Sequence, residues 1–346
     1  MGGFANQIFH VMKILFHSHT PFLLAHGGAQ IQIDQTMAAL LAVGVETEPL
    51  RWWDDQQRGD LIHFMGVAPV AYLHLAKSKG IPVVMTVLFS SACNRPATRL
   101  RQQGWLVRTL LRLPFGEGVK RQLTWRSFGL CAANVVGLEA ERRVLELVYG
   151  IPRQKSHVVP LGLAPVFLTA SASRRDGDYL ICVGTITRVK NTVALARLAH
   201  AAQVPILFVG KPYAETDPYW HEFKSLVDDR WVRHQPHLAE PAAMVSLLHA
   251  ARGAVVMSDF ENWCLAAHEA AACGVPVLLP DLNWSRERFG NQAHYFDRVG
   301  FTPRNVAILK NFYAAAPTLP APAIQLFSWA DTAAALKKVY ERVLKA

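Results

Sequence analysis

The sequence predicts an α/β protein built from two Rossmann-like halves, and three observations carry that prediction. Short apolar runs rich in β-branched residues alternate with amphipathic stretches, the pattern of parallel sheets covered by helices on both faces. The series stops at a small, polar segment, Thr169 to Asp178 (TASASRRDGD), and then restarts. At 346 residues the chain has room for two such units, each with its own core. Two halves of this kind facing a cleft hold ligands at the carboxyl ends of their strands, so functional residues are sought in the loops that follow strands.

The elements follow in order. KILFH (13–17) reads as a buried strand, HTPFLLAHGGAQ (19–30) as a loop, and Ile31 to Leu41 as a helix. DLIHF (60–64), IPVVMTV (81–87) and Leu130 to Val136 are apolar runs too short for helices. Glu139 to Tyr149 is a charged amphipathic helix, and Ser156 to Pro160 a strand. Beyond the linker, strands are expected at Tyr179 to Val183, Ile206 to Val209, Ala254 to Met257 and Val275 to Leu279. A proline-rich segment, Pro317 to Pro322, leads to Ser328-Trp329-Ala330-Asp331, a capping-box pattern that opens a closing helix to Leu344.

Composition narrows the class. With 51% hydrophobic and 18% charged residues, the chain is globular rather than disordered. No stretch is apolar for long enough to span a bilayer. The opening MGGFANQIFHV lacks the charged start and apolar core of a signal peptide, and Asn6 departs from the myristoylation pattern, so the fold is expected to begin at Met12 in a cytoplasmic protein. The five scattered cysteines include no C-x-x-C pair and read as reduced thiols. The 14 histidines show no metal spacing, and no metal is expected. The net charge of +10 calls for an anionic partner: a nucleotide diphosphate, an anionic lipid or a nucleic acid. Nucleic acid ranks last, since no RNA-binding aromatic signature, zinc finger or basic repeat is present.

The most informative stretch is Ser258 to Val277, SDFENWCLAAHEAAACGVPV. A helix is expected from near Cys264 to Gly274, which suits a left-handed helix end and precedes the helix-breaking Pro276. Helix side chains lean toward the N-terminus, so Glu269 leans toward the loop that carries Glu261. The loop and the first free helix amides, at Asn262, Trp263, Cys264 and Leu265, then form an anion site flanked by carboxylates. Amides can hold a diphosphate while carboxylates accept hydrogen bonds from sugar hydroxyls. The alternative reading is an amphipathic helix with two solvated acids before a buried strand.

E-x7-E followed by A-x-A-x-G-x-P-V resembles the signature of the retaining GT-B glycosyltransferases of family 4. The resemblance implies two Rossmann-like domains facing a cleft, with donor-sugar contact at Glu261 and ribose contact at Glu269. It also implies that the closing helix, which begins with a similar FSW, returns to the first domain. The expected units are therefore 1–170 with 328–346, the acceptor domain, and 178–316, the donor domain. Gly27 and Gly28 follow the first strand where relatives place glycines beside the donor phosphates; a simple tight turn is the other reading, and G-x-G-x-x-G is absent. Gly184 to Asn191 resembles the family's G-x-I-x-x-x-K-N, in which the lysine, here Lys190, neutralises the diphosphate as the leaving nucleotide gains charge. Gly210-Lys211-Pro212 is a weaker phosphate candidate. HQPHL (234–238) stands where relatives hold the base, and Pro160-Leu161-Gly162 resembles a structural turn at the domain junction.

The chain departs from the family at three places. E-G-F-G is here Glu261-Asn262-Trp263-Cys264, with Asn262 the residue expected to tolerate left-handed backbone. A His after the third strand is replaced in Thr86-Val87-Leu88-Phe89-Ser90-Ser91, with Ser90 or Ser91 as substitutes. Thr185 replaces an Arg, and Arg188 is the candidate for the second positive charge. Separately, Arg99 to Arg126 holds seven basic residues against one acid, Glu117, with Trp105, Phe115 and Trp125 interleaved. On a helix Arg101, Arg108 and Arg112 share one face and Leu106, Leu110 and Leu113 another, which fits either an anionic membrane surface or an ordinary packed helix.

The resulting expectation is a retaining, metal-independent glycosyltransferase without a separate cofactor. It moves a sugar from a nucleotide diphosphate to a hydroxyl of a glycan or lipid-linked acceptor, as in polysaccharide biosynthesis, with the inner face of a membrane as a candidate location. The alternative is a non-catalytic GT-B-like protein that binds a nucleotide or glycan or supports a partner; a nucleotide-sugar epimerase on the same fold is a further rival.

Overall fold

A computed structural model of the chain describes residues 11–23, 27–89, 91–112, 124–171, 174–236, 238 and 240–346. Among these residues lie two six-stranded sheets, parallel throughout. The first holds β1 (Lys13–Ser18), β2 (Glu46–Pro49), β3 (Leu61–Met65), β4 (Val83–Thr86), β5 (Ala133–Val136) and β6 (Ser156–Val158), in the order β2-β1-β3-β4-β5-β6. The second holds β7 (Leu180–Val183), β8 (Ile206–Val209), β9 (Val232–Gln235), β10 (Gly253–Val255), β11 (Val277–Pro280) and β12 (His294–Phe296), in the order β12-β11-β10-β7-β8-β9. Helices cover both faces of the central strands, so every residue of β3, β4, β5 and β11 is buried, the polar His63, Thr86 and Asn134 included. The order reverses between β1 and β3 in one sheet and between β7 and β10 in the other, and such switch points open ligand crevices.

The strands that the sequence pattern left out are β2, β9 and β12. Each lies at a sheet edge, where one ladder is unpaired and the apolar signal is weakest. β2 is the polar tetrapeptide ETEP.

The closing helix, Trp329–Lys345, returns to the first sheet as expected. Ser328 and Asp331 form its capping box. Leu336, Val339 and Tyr340 pack with Ile14 and Phe16, and Lys337 Nζ donates to the Val43 carbonyl at 2.9 Å. Inside the sheet, His63 bonds to Tyr340 Oη at 2.5 Å and to Thr86 Oγ1 at 2.6 Å. Burial lowers its pKa to about 3, so the ring is neutral and ties the returning helix to β3. The crossing segment is held by Arg175, whose guanidinium donates to the carbonyls of Leu319 (2.5 Å) and Gly274 (2.6 Å). One apolar cluster runs across both halves, joining Leu138 and Val144 to Ala267, Trp284 and Phe289.

The basic helix, Ala97–Arg112, packs through a face other than that of Leu106 and Leu110. It packs through Leu100 and Val107, with Gly104 so close to the next helix that a Cβ would stand 2.0 Å from the Leu147 carbonyl oxygen. Arg108 lies on this packed side and donates to the same carbonyl at 3.0 Å. Leu106 and Leu110 are instead exposed, and Trp105 is exposed next to Arg101 and Arg112 on the arginine face. The close approach at Gly104 decides the packing. Leu113, Phe115 and Glu117 lie outside the described residues.

Candidate functional site

Two loops leave the switch point of the second sheet. One follows β7 and ends in a single turn, Arg188–Lys190; the other follows β10 and ends at the Leu265–Ala272 helix. Asn191 is left-handed (φ 52°), and its Nδ2 donates to the Met257 carbonyl at 3.2 Å. The Asp259 amide donates to the Val189 carbonyl at 2.9 Å, so backbone bonds hold the loops side by side. Lys190 Nζ consequently forms an ion pair with Glu261 Oε1, which also accepts a hydrogen bond from Ser258 Oγ at 2.5 Å. Burial works against the Lys190 charge, but the Glu261 carboxylate outweighs it and holds the pKa above its ordinary value. The lysine is therefore a fixed cation.

The helix that follows starts at the same loop, and its first two amides, Leu265 and Ala266, have no intrahelical carbonyl to meet, whereas the Ala267 amide donates to the Cys264 carbonyl at 3.1 Å. Its N-cap, Cys264, is left-handed (φ 65°) and buried. This corrects the expectation at Asn262, whose φ is not positive; the residue that needs a permissive backbone is the second of the two lost glycines. An L-residue there costs about 1–2 kcal/mol relative to Gly. Ala267, Ala270 and Ala271 let the helix lie close on the sheet, and Gly274 (φ 73°) ends it as the sequence required. Glu269 is partly buried, and among the described residues no hydrogen bond or cation meets its carboxylate. Burial pushes its pKa up to about 7.

The remaining residues divide. A Cβ on Gly27 would stand 3.1 Å from Thr185 Oγ1, so these two face each other across the cleft, whereas Gly28 opens a helix with free space around it. Arg188 is exposed and lies over the Tyr219 ring at 5.2 Å, separate from the Lys190–Glu261 pair. Trp263 turns into the domain seam, stacked on His268 and covered by the Arg288 guanidinium at 3.8 Å, so only its backbone can serve a ligand. Leu265 is partly buried at the start of the helix. His234 is held by the Gly210 carbonyl at 2.8 Å and packed on Trp220. Gly162 abuts the closing helix, with a Cβ site 2.2 Å from the Trp329 amide, a structural role as expected. Leu88, in place of the family's His, lines a cavity with Gly137 and Asn262. Ser90 lies outside the described residues, as does the side chain of Ser91.

Sequence reasoning missed Ser258, because a lone serine before a motif carries no signal. It also missed Glu141, Glu287 and Arg288 at the domain seam. Glu141 was legible only as a capping residue three positions into a helix.

No protein-family model matches the chain, and no curated protein matches it in sequence. Solved structures do match in fold. The Anabaena protein Alr3699/HepE, in complex with UDP-glucose, superposes with a TM-score of 0.61 at 14% identity, covering 96% of this chain and 100% of its own. A glycosyltransferase from Rickettsia africae gives 0.63 at 11%, covering 97% and 100%. Sucrose-phosphate synthase from Thermosynechococcus elongatus gives 0.63 at 16%, covering 96% and 99%. The chain has the GT-B fold that these proteins share.

Proposed function

We propose that the protein is a retaining glycosyltransferase that takes its sugar from a nucleoside diphosphate donor, with a UDP-sugar the first to test because a fold neighbour holds UDP-glucose. The observation that carries the reading is the convergence of Lys190, Glu261 and Ser258 with the free amides of the Leu265–Ala272 helix at one switch point. A diphosphate entering there competes with Glu261 for the Lys190 ammonium. Glu261, released from the ion pair, becomes an acceptor for a hydroxyl of the donor sugar. Glu269 accepts from the ribose hydroxyls, which explains a carboxylate left without a partner in the crevice wall. As the bond between the anomeric carbon and the diphosphate oxygen breaks, Lys190 and the helix amides stabilise the charge on the leaving group. The acceptor hydroxyl oxygen bonds to the anomeric carbon on the same face, and its proton passes to the departing diphosphate. This course uses neither a protein nucleophile nor a metal.

The acceptor is a hydroxyl of a glycan or of a lipid-linked glycan. Trp105, Leu106 and Leu110 are exposed on a helix that also exposes Arg101 and Arg112, which fits docking on an anionic membrane at its cytoplasmic face. Pelleting with anionic and neutral liposomes tests this docking; equal recovery with both removes it.

Mass-spectrometric analysis of the protein with UDP-glucose, with and without an acceptor panel, tests the transferase reading. Transfer to an acceptor is the expected result. Donor conversion without an acceptor would instead mark an epimerase. Binding without any conversion would mark a non-catalytic protein, a reading favoured by Thr185 and Leu88 standing where relatives carry Arg and His.

A further inference from the structure

The seam between the halves carries polar groups for which the proposed reaction has no use. Glu141, wholly buried, lies in the first turn of the Glu139–Leu147 helix. Its Oε2 accepts from the amides of Gly137 (2.8 Å) and Leu138 (3.0 Å), as a capping carboxylate does. Its Oε1 accepts from the Phe89 amide at 3.3 Å and from the side-chain amide of Asn262, which belongs to the other half. Asn262 directly follows Glu261. The backbones also touch: a Cβ on Gly137 would stand 2.4 Å from the Asn262 carbonyl oxygen. Gly137 has no positive φ, so clearance alone demands a glycine there. Around this contact Arg288 donates to the Gly137 carbonyl, and Glu287 accepts from the amides of Glu139 (2.6 Å) and Ala140 (2.9 Å). Asn94 Nδ2 donates to the Asp259 carbonyl at 2.8 Å, so the loop that carries Glu261 is held from the first half at two points.

We propose that Gly137 and Glu141 form a seat for the Asn262 loop, making Glu141 a positioning residue that sets Glu261 in the donor crevice only when the two halves are closed. The proposal rests on the donor reading of Glu261. Its chemistry is specific. A carboxylate offers acceptors only, and four N–H groups, three from the first half and one from the second, converge on it. Asn262 stands where relatives carry Gly, so the side chain that reaches the seat is a particular of this chain. Losing the seat lowers the closed population, and apparent donor affinity falls by the same fraction.

Small-angle scattering without nucleotide, paired with UDP titration calorimetry, tests the seat in wild type, Gly137→Ala, Glu141→Gln, Asn262→Ala and the Glu141→Gln/Asn262→Ala double variant. Gly137→Ala wedges the seam without disturbing either sheet. It is expected to raise the radius of gyration and to weaken UDP binding about tenfold if the closed fraction falls to a tenth. Glu141→Gln and Asn262→Ala should each weaken UDP binding, and the double variant should bind no worse than Asn262→Ala, because Glu141 acts through Asn262. A capping role alone would make the two effects additive and would overturn the proposal. So would native scattering in Gly137→Ala, or opening with unchanged UDP affinity. If wild type binds neither UDP nor any other nucleoside diphosphate, the donor reading has failed, while the scattering arm still decides whether the seat closes the halves.

Discussion

The two switch points of the molecule share one architecture and differ in what they carry. The second, between β7 and β10, gathers a cation, two carboxylates, a hydroxyl and free helix amides. The first, between β1 and β3, carries glycines at 27 and 28 and His17, whose Nδ1 meets Tyr72 Oη at 3.0 Å. Burial and the neighbouring His19 lower the His17 pKa, so this side is poor in charge. Under the proposed function the fold separates two tasks: one half would hold a charged leaving group, and the other would offer an uncharged wall that completes the site when the halves meet.

Removing the cation should abolish the contrast between the two switch points. Lys190→Ala should lower sugar transfer by about 10²–10³-fold, the scale for losing one preorganised electrostatic contact to a developing charge. Steady-state kinetics checks this, and a small loss would mean that the charge is handled elsewhere.

Glu269 separates binding from stability. Its ordinary pKa of 4.5 is raised to about 7 by burial, so between those values the folded chain holds more protons than the unfolded one. Stability therefore falls as pH rises through that window. Glu269→Gln should melt about 1–2 °C higher than wild type at pH 8 for each kcal/mol recovered, and close to wild type at pH 4.5. Glu141, also raised to about 7 chiefly by burial, keeps part of the slope in the variant. Melting curves at pH 4.5 and 8 check the sign. Nucleotide affinity should fall in the same variant, since a carboxamide accepts fewer ribose hydrogen bonds.

Cys264 gives the smallest and most local effect. Gly normally destabilises a helical site relative to Ala, but a left-handed position reverses the order. Cys264→Gly should be more stable than Cys264→Ala by about 1 kcal/mol in urea unfolding. The usual order would show that this turn relaxes out of the left-handed region.

The motif residues were legible because chemistry and backbone geometry coincide in them. Gly274 and Pro276 end a helix that any reader of the sequence can place, and Lys190 and Asn191 follow a strand of unmistakable apolar character. Edge strands such as ETEP were not legible, because an edge strand is polar and half-exposed and carries little apolar signal. The Glu141–Asn262 contact was hidden because 121 positions separate its partners. The Asn262 expectation failed locally: which of two lost glycines needs positive φ depends on where the helix starts. The face of the Ala97–Arg112 helix was decided by Gly104, whose close approach to Leu147 is a tertiary fact.

Titration of UDP into wild type, Lys190→Ala and Glu269→Ala by calorimetry decides whether a nucleotide binds at the switch point of the second sheet. Wild type should bind measurably, with binding lost or strongly weakened in both variants. Binding by wild type that survives both substitutions would contradict this placement, because the nucleotide would then lie outside the switch point of the second sheet.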